Sequence, residues 1–451
     1  MSSPDHQSRH CLALVLAAGE STRMRSCRPK VLHKLAGRSL LAHVLDGLAH
    51  AGADQTVVIV GPDHDSVVAE AKSANGEVEI AIQKERLGTG NAVLAARAAI
   101  ARGYDDLLVV FADTPLVLPE TFIRLRQLLV EGRNAVGVLG FETENPAGYG
   151  RLILEGGELT AIREDRDAVG NERNIKSCNA GLMALDGRRA LSLLDAIGNA
   201  NSKKEYYLTD VVAVARSCGL HAAVHLAPEA EVQGVNDRAQ LAAAEAVLQS
   251  RLRARLMQEG VTMIDPSSVI LAFDTELGRD SVIEPHVIFG PNVRIGENCL
   301  IRSFSYLEGA VVSDHAVIGP FARLRPGAAI GPDVHIGNFV EVKAATVGAG
   351  TKINHLSYIG DATIGAGTNV GAGTITCNYD GFGKSRTEIG SGVFVGSNST
   401  LVAPVKVGDG AYLGAGSVIT KDVAEDALGL GRARQVDKPG WAKAFRTKKR
   451  R

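Results

Sequence analysis

Residues 359–371 read Ile-Gly-Asp-Ala-Thr-Ile-Gly-Ala-Gly-Thr-Asn-Val-Gly. An apolar residue followed by glycine recurs here at Ile359-Gly360, Ile364-Gly365 and Val370-Gly371. The pairing extends back through Val347-Gly348, Ile336-Gly337, Ile330-Gly331 and Ile318-Gly319. It extends forward through Ile389-Gly390, Val395-Gly396, Val407-Gly408 and Leu413-Gly414. Most steps are six or twelve residues; two slip by one, and a long gap follows Val370. A fixed hexapeptide period is the signature of a parallel β-helix, in which each side supplies a short strand, an inward apolar residue and a tight turn. Glycine is expected in the turn because it reaches positive φ without a Cβ clash. Of the 50 glycines, 26 lie between residues 271 and 431, so the chain changes character near residue 265. A glycine-rich linker would lack the regularly spaced Ile and Val.

Upstream, apolar runs alternate with helical patterns. Leu12 to Leu16, Thr56 to Val60, Val78 to Ile82, Leu107 to Phe111 and Ala135 to Gly140 read as buried strands. Helix-length segments lie around 39–51, 63–73, 88–102 and 119–131. This alternation predicts an α/β domain with a mostly parallel sheet, binding ligands at the carboxyl ends of its strands. Between the two patterns, Leu241, Ala244, Leu248, Leu252 and Leu256 share one helical face. Asn236 or Asp237 would cap that helix and Gly260 would end it. The expected division is a first domain over 1–236, a linking helix over 237–262, the β-helix over 263–437 and a flexible basic tail over 438–451.

With 451 residues, the chain is long enough for two or more domains. Charge is nearly balanced, 49 basic against 50 acidic residues, so no global field recruits nucleic acid or a membrane surface. The six cysteines are scattered without metal-ligand spacing, which fits a reducing cytosol. The opening Met-Ser-Ser-Pro-Asp-His has no basic segment leading into an apolar stretch, and no apolar run reaches membrane-spanning length. A cytoplasmic protein without membrane insertion is expected.

The first strand runs directly into Leu16-Ala-Ala-Gly-Glu-Ser-Thr-Arg-Met24, and Pro29-Lys30-Val31-Leu32 follows. A glycine-bearing turn after a strand lets backbone N–H groups face phosphate. Arg23 and Lys30 supply the positive charge a triphosphate needs. This is neither a Walker loop nor a G-x-G-x-x-G loop. Asp113, in Phe111-Ala-Asp-Thr-Pro115, stands at the end of an apolar strand, where a carboxylate reaches the crevice and suits Mg²⁺, a hard cation wanting oxygen ligands. The same aspartate would also start an Asp-Thr-Pro turn. Asn236 is the candidate second ligand; its capping role remains open beside that one.

The β-helix carries polar residues the repeat does not require: Arg325, Lys343, the run Asn354-His355-Leu-Ser-Tyr358, and Asn369. After Val370 the six-step breaks, and Thr374 to Glu388 include Cys377-Asn-Tyr-Asp-Gly381. An insertion thrown out of a regular solenoid is a plausible binding loop.

The motif L-A-A-G-x-x-T-R-M followed by P-K closely resembles the signature of sugar-phosphate nucleotidylyltransferases. From about Leu12 to Arg434 the chain resembles the bacterial bifunctional N-acetylglucosamine-1-phosphate uridylyltransferase / glucosamine-1-phosphate N-acetyltransferase family. The resemblance implies a Rossmann-like nucleotidyltransferase domain followed by a left-handed β-helix. The first domain would join UTP to N-acetylglucosamine 1-phosphate, with Mg²⁺ as cofactor. Leu16, Ala17, Ala18 and Gly19 would approach the nucleotide, and Gln83, Gly88 and Thr89 would read uracil. Lys30 and Arg23 would neutralise phosphate, and Asp113 and Asn236 would bind the metal. Gly150, Glu164, Asn179 and Thr209 would hold the sugar. Three departures stand out: Glu20-Ser21 where Lys-Gly is common, Phe111-Ala112 before Asp113, and Arg86 beside the base.

On the β-helix the resemblance implies acetyl transfer from acetyl-CoA to glucosamine 1-phosphate. His355 would be the general base, since imidazole titrates near neutrality and the attacking amine must lose a proton. Glu341 would orient it. Arg325 and Lys343 would hold the sugar phosphate, and Tyr358 and Asn369 its hydroxyls. Ala372, Asn378, Tyr379, Ser397, Ala415 and Arg432 would contact acetyl-CoA, Arg432 through its phosphates. By the same analogy the protein would be a homotrimer with sites between subunits. The competing expectation is a single-activity nucleotidylyltransferase whose β-helix is only structural; the setting of His355 argues against it.

Overall fold

The computed structural model describes residues 9–19 and 22–449. Glu20 and Ser21 of the glycine loop, the opening segment Met1–His6, and Arg450 and Arg451 of the basic run lie outside the described residues. The chain divides into two compact units, Met1–Leu248 and Gln249–Arg451, and the division falls within the helix Arg238–Gln258.

The first unit is built on a nine-stranded sheet. Across its main path the strands are Ala222–Leu226, Val136–Glu142, Ser177–Asp186, Asp106–Phe111, Cys11–Leu16, Gln55–Val60 and Glu79–Ile82. Every residue of Cys11–Leu16 is buried, as expected of a parallel strand covered on both faces. The sheet is parallel except at Ser177–Asp186, which runs antiparallel to both neighbours, and at the hairpin Arg151–Glu155 with Glu158–Arg163. Ser39 caps the helix Leu40–His50 by accepting from the Ala42 N–H. The helix over 88–102 is two helices, Thr89–Leu94 and Arg97–Ile100. The Ala96 N–H bonds Val93 O, one residue short of the helical partner, and tightens the turn between them.

The second unit stacks three parallel sheets of ten, eight and eight strands. Inward residues form columns one coil apart: Ile318, Ile336, Ile353, Val370, Val395, Leu413 on one side, and Ile330, Val347, Ile364, Ile389, Val407 on another. On the third side Val342 and Ile359 are followed by the fully buried Thr376. Its hydroxyl bonds the Gly360 main chain, 2.8 Å to N and 3.0 Å to O, so the polar group is satisfied inside the column. The gap after Val370 is a loop between strands Ile375–Cys377 and Thr387–Ile389, after which the register resumes.

The repeat glycines do not do what dihedral freedom alone predicts. Among the glycines that follow the inward residue, positive φ is found at Gly319 but not at Gly331, Gly337, Gly348, Gly365 or Gly371. A Cβ on Gly337 would lie 1.9 Å from Asn354 O, and one on Gly348 2.6 Å from Ala366 N. Close stacking of successive coils therefore requires these glycines. The left-handed conformation falls two residues later, at Phe339, Gly350, Gly367 and Gly373.

The basic tail, expected to be flexible, carries the helix Trp441–Lys449. Its Trp441 and Phe445 rings stack at 5.1 Å one turn apart, and the Lys449 ammonium lies 5.9 Å from the Phe445 centroid, a side-chain ladder along one face.

Candidate active sites

At the carboxyl ends of the first unit's parallel strands a cavity of about 430 Å³ opens. Leu16, Ala17, Ala18, Gly19, Lys30, Gln83, Gly88, Thr89, Asp113 and Glu164 line it, which brings together most of the nucleotide residues expected from sequence. The strand Cys11–Leu16 delivers the loop, and the Ala17 N–H is fixed by Ile59 O at 2.8 Å. Gly88, at φ 114°, packs so closely that a Cβ would meet Tyr206 O at 2.5 Å. Gln83 donates from Nε2 to Gly88 O at 3.3 Å.

Lys30, Asp113 and Asn236 converge. The Lys30 ammonium bonds the Asp113 carboxylate and lies 3.0 Å from Asn236 Oδ1. Two oxygens from distant parts of the chain thus already face one cation, and this donor set fits a hard divalent ion. Among the described residues no group of three His, Cys, Asp or Glu is placed to hold a metal. A metal here would rest on one carboxylate and one amide oxygen, leaving positions for phosphate and water.

Glu164 accepts from the Thr209 hydroxyl at 3.0 Å. Burial raises its carboxyl above the ordinary range, while Thr209 and Lys203 pull it back. Gly150 O accepts from Asn179 N–H at 2.8 Å, and Asn179 Oδ1 in turn receives the Gly181 N–H at 3.0 Å. Gly150, Asn179 and Thr209 are therefore adjacent to Glu164 or to each other but do not themselves line the cavity. Arg23 is exposed in the turn Thr22–Met24 and does not line the cavity. Lys203, Glu205 and Tyr207 do line it. The motif Glu205-Tyr-Tyr-Leu-Thr209 pointed to this segment, but nothing in its periodicity singled out Lys203.

On the β-helix, His355 Nδ1 lies 2.7 Å from Asn338 Oδ1, one coil below in the paired register. An amide oxygen can only accept, so this contact holds the ring through an Nδ1–H donor. Glu341, expected to orient His355, accepts from Arg325 at 2.8 Å and from Arg323 at 3.4 Å. Asn338 meets the imidazole because it stands at the same turn position one coil below. Lys343 lies 3.5 Å from Asp361, which also receives Asn378 Nδ2. Lys384 from the loop joins Lys343; the hydrogen bond between the two amines, and then the like charge, lower the pKa of Lys384. Arg325, Lys343, Asn378 and the loop are thus brought together. Asp361 and Lys384 escaped sequence reasoning because they sit at ordinary turn and loop positions.

Tyr358 stacks on the sheet beside Glu341, whereas Asn369 stands on a different sheet between Lys352 and Phe394. Tyr379 is exposed, its hydroxyl donating to Gly381 O at 2.6 Å. His355, Ala372, Ser397 and Ala415 occupy one turn column, each two residues after an inward Ile353, Val370, Val395 or Leu413. Ala372 O accepts from Asn398 N–H at 2.7 Å and Ser397 O from Gly416 N–H at 2.8 Å. Arg432 continues the line past Gly416.

Residues 13–177 match the MobA-like NTP transferase domain, and residues 274–309, 309–344 and 386–421 match the bacterial transferase hexapeptide (six repeats). The Bifunctional protein GlmU of Bradyrhizobium sp. (strain ORS 278) is 57% identical over 444 residues, covering 98% of this chain and 99% of its own. The chain belongs to the GlmU family. The GlmU of Xanthobacter autotrophicus is 58% identical over 438 residues, covering 97% of this chain and 98% of its own. GlmU likeness thus spans both units, and each has its own constellation of polar side chains.

Proposed function

We propose that the protein makes UDP-N-acetylglucosamine in two steps on one chain. Glucosamine 1-phosphate is acetylated by acetyl-CoA on the β-helix, and N-acetylglucosamine 1-phosphate is then uridylylated by UTP in the first unit. The observation that carries this reading is the coexistence of the Lys30–Asp113–Asn236 convergence with the His355 turn column.

In the first step the sugar amine attacks the thioester carbonyl, its proton passes to His355 Nε2, and the carbon–sulfur bond breaks to release the thiol. Arg325, Lys343 and Lys384 offer the positive charge that holds the sugar phosphate. Ala372, Ser397, Ala415 and Arg432 form the track along which the carrier lies, with Asn378 and Tyr379 contributing from the loop. Tyr358 and Asn369 are assigned to the sugar hydroxyls. Asn369 stands apart from the others, which favours its acting toward a neighbouring subunit.

In the second step a phosphate oxygen of the sugar attacks the α-phosphorus of UTP and pyrophosphate leaves. No protein nucleophile is needed, so positioning and charge neutralisation carry the rate. Lys30 meets the phosphates, the loop at Ala17–Gly19 presents main-chain N–H groups, and Glu164 with Asn179 and Gly150 holds the sugar. Mg²⁺, when held by Asp113 and Asn236, supplies charge neutralisation at the phosphate oxygens.

We further assign a homotrimer. Phe304, Phe321 and Phe339 stack at 5.0 and 5.2 Å on one corner of the β-helix while 53%, 46% and 56% exposed. All three have left-handed φ of 56–61°, a conformation costing about 1–3 kcal/mol for a bulky residue. A strained, exposed aromatic stripe leading to the His355 turn suits burial by another copy. No helix among the described residues is long and apolar enough to cross a membrane, and the six cysteines are free; both support a cytoplasmic location.

Mass spectrometry tests the whole reading. Incubation with glucosamine 1-phosphate, acetyl-CoA, UTP and Mg²⁺ should give UDP-N-acetylglucosamine. Omitting acetyl-CoA, then UTP, should stop the sequence at different steps. Free thiol released from acetyl-CoA separates this reading from a nucleotidylyltransferase with a structural β-helix.

A further inference from the structure

Gln83 follows the strand Glu79–Ile82 and is only 5% exposed, yet it lines the nucleotide cavity. Its amide is held from two directions: Nε2 donates to Gly88 O at 3.3 Å and to Asn91 Oδ1 at 3.0 Å. Gly88 O is a main-chain acceptor, so the group facing it must be the NH₂; turning the amide over would set oxygen against oxygen. With both N–H bonds engaged, Oε1 is the hydrogen-bonding capacity Gln83 has left, and it is an acceptor.

We infer that Asn91 is a positioning residue for base selection: by locking Gln83 with Oε1 available, it favours a pyrimidine bearing N3–H over one bearing an N3 lone pair. Uracil is the first kind and cytosine the second. The inference rests on the uridylyl-transfer reading and deepens it.

Asn91 is itself well anchored. It lies in the first turn of the helix Thr89–Leu94. Thr89 Oγ1 accepts the Leu208 N–H at 3.0 Å, and the Gly90 N–H donates to Tyr206 O at 2.8 Å, so two bonds tie the turn to the segment Tyr206–Leu208.

The test compares kcat/KM for UTP and CTP, with N-acetylglucosamine 1-phosphate and Mg²⁺, in the full chain and its Asn91→Leu and Asn91→Asp variants. The wild type should prefer UTP. Asn91→Leu removes the acceptor and should lower the UTP-to-CTP ratio by roughly ten- to a hundredfold, mostly through KM for UTP, as expected when one directed hydrogen bond is lost. Asn91→Asp still accepts from Nε2 and should keep the ratio. Circular dichroism and thermal unfolding of the full chain, read against the wild type, report that each variant is folded; Asn91→Ala, with less bulk, is read in the same way if Asn91→Leu is not. A retained ratio in both acceptor-free variants overturns the inference, and so does an equal loss in Asn91→Asp. A wild type that turns over UTP and CTP equally also overturns it, while one that turns over neither fails the uridylyl-transfer reading itself.

Discussion

Lys30 and Asn236, 206 residues apart in the chain, meet at 3.0 Å beside the Asp113 carboxylate. A loop following the first strand and the residue preceding the long helix are thereby tied to one point. The ammonium stands where two hard oxygen donors already converge, and the proposed uridylyl transfer takes this point as its electrostatic centre.

Asp113→Asn should cut uridylyl transfer by roughly 10²-fold or more, the usual scale for losing one preorganised charge at a phosphoryl centre. The Mg²⁺ concentration for half-maximal rate should rise. Acetyl transfer should hardly change. Pyrophosphate release at the wild-type rate would remove Asp113 from the metal site.

His355→Ala should lower acetyl transfer by about 10²–10⁴-fold while sparing uridylyl transfer from supplied N-acetylglucosamine 1-phosphate. Asn338→Ala leaves the imidazole in place but frees its Nδ1. It should reduce the rate less and shift the pH profile of acetyl transfer. Identical losses of both activities in folded His355→Ala would contradict separate sites.

Glu164 gives a pH prediction. Burial, its largest influence, raises the carboxyl, so the folded protein takes up a proton at higher pH than the unfolded chain. Its effect on stability is therefore most favourable below the unfolded pKa and is lost as pH rises through the raised folded one. The proposed sugar contact has the opposite sign, because an ionised carboxylate is the better acceptor for a hydroxyl proton. Uridylyl transfer should fall as pH drops through a range above that of ordinary carboxylates. Glu164→Gln should flatten that acid limb at lower overall activity; an unchanged limb would assign it to another group.

Gly337→Ala places a methyl group 1.9 Å from Asn354 O in the next coil, whereas one at Gly383 in the loop meets nothing nearer than 4.0 Å. The first substitution should destabilise the β-helix by about 1–3 kcal/mol or more, the range for overpacking. Gly383→Ala should be close to neutral. Thermal unfolding followed by circular dichroism separates the two.

Phe321→Glu puts a charge in the middle of the aromatic stripe. Light scattering should show a mass near three chains for the wild type and a smaller species for the variant. Acetyl transfer should fall with the mass, and uridylyl transfer should persist. A wild-type monomer active in acetyl transfer would refute a shared site.

The fold was legible because its periods are strong. Apolar strands such as Cys11–Leu16 and the six-residue step from Ile318 to Leu413 each admit one economical structure. The loop residues around Gly19, and Lys30 and Asp113, were legible because charge and glycine follow strand ends. Asn338 and Asp361 were not: each acts on a residue 17 positions away, through the coil register rather than through local sequence. The role of the repeat glycines was misjudged for the same reason. A single strand shows what a residue does to its own backbone, but the clash that excludes a side chain at Gly337 comes from the coil above.

The turn column from His355 through Ala372, Ser397 and Ala415 to the vicinity of Arg432 climbs four coils. Neighbouring strands in a sheet are about 4.8 Å apart, so the climb is on the order of 19 Å. That makes the solenoid a ruler. On the proposed assignment, the length of acyl carrier that rests one end at His355 and the other at Arg432 is counted in whole rungs, and inserting or deleting a complete coil would change it by one rung.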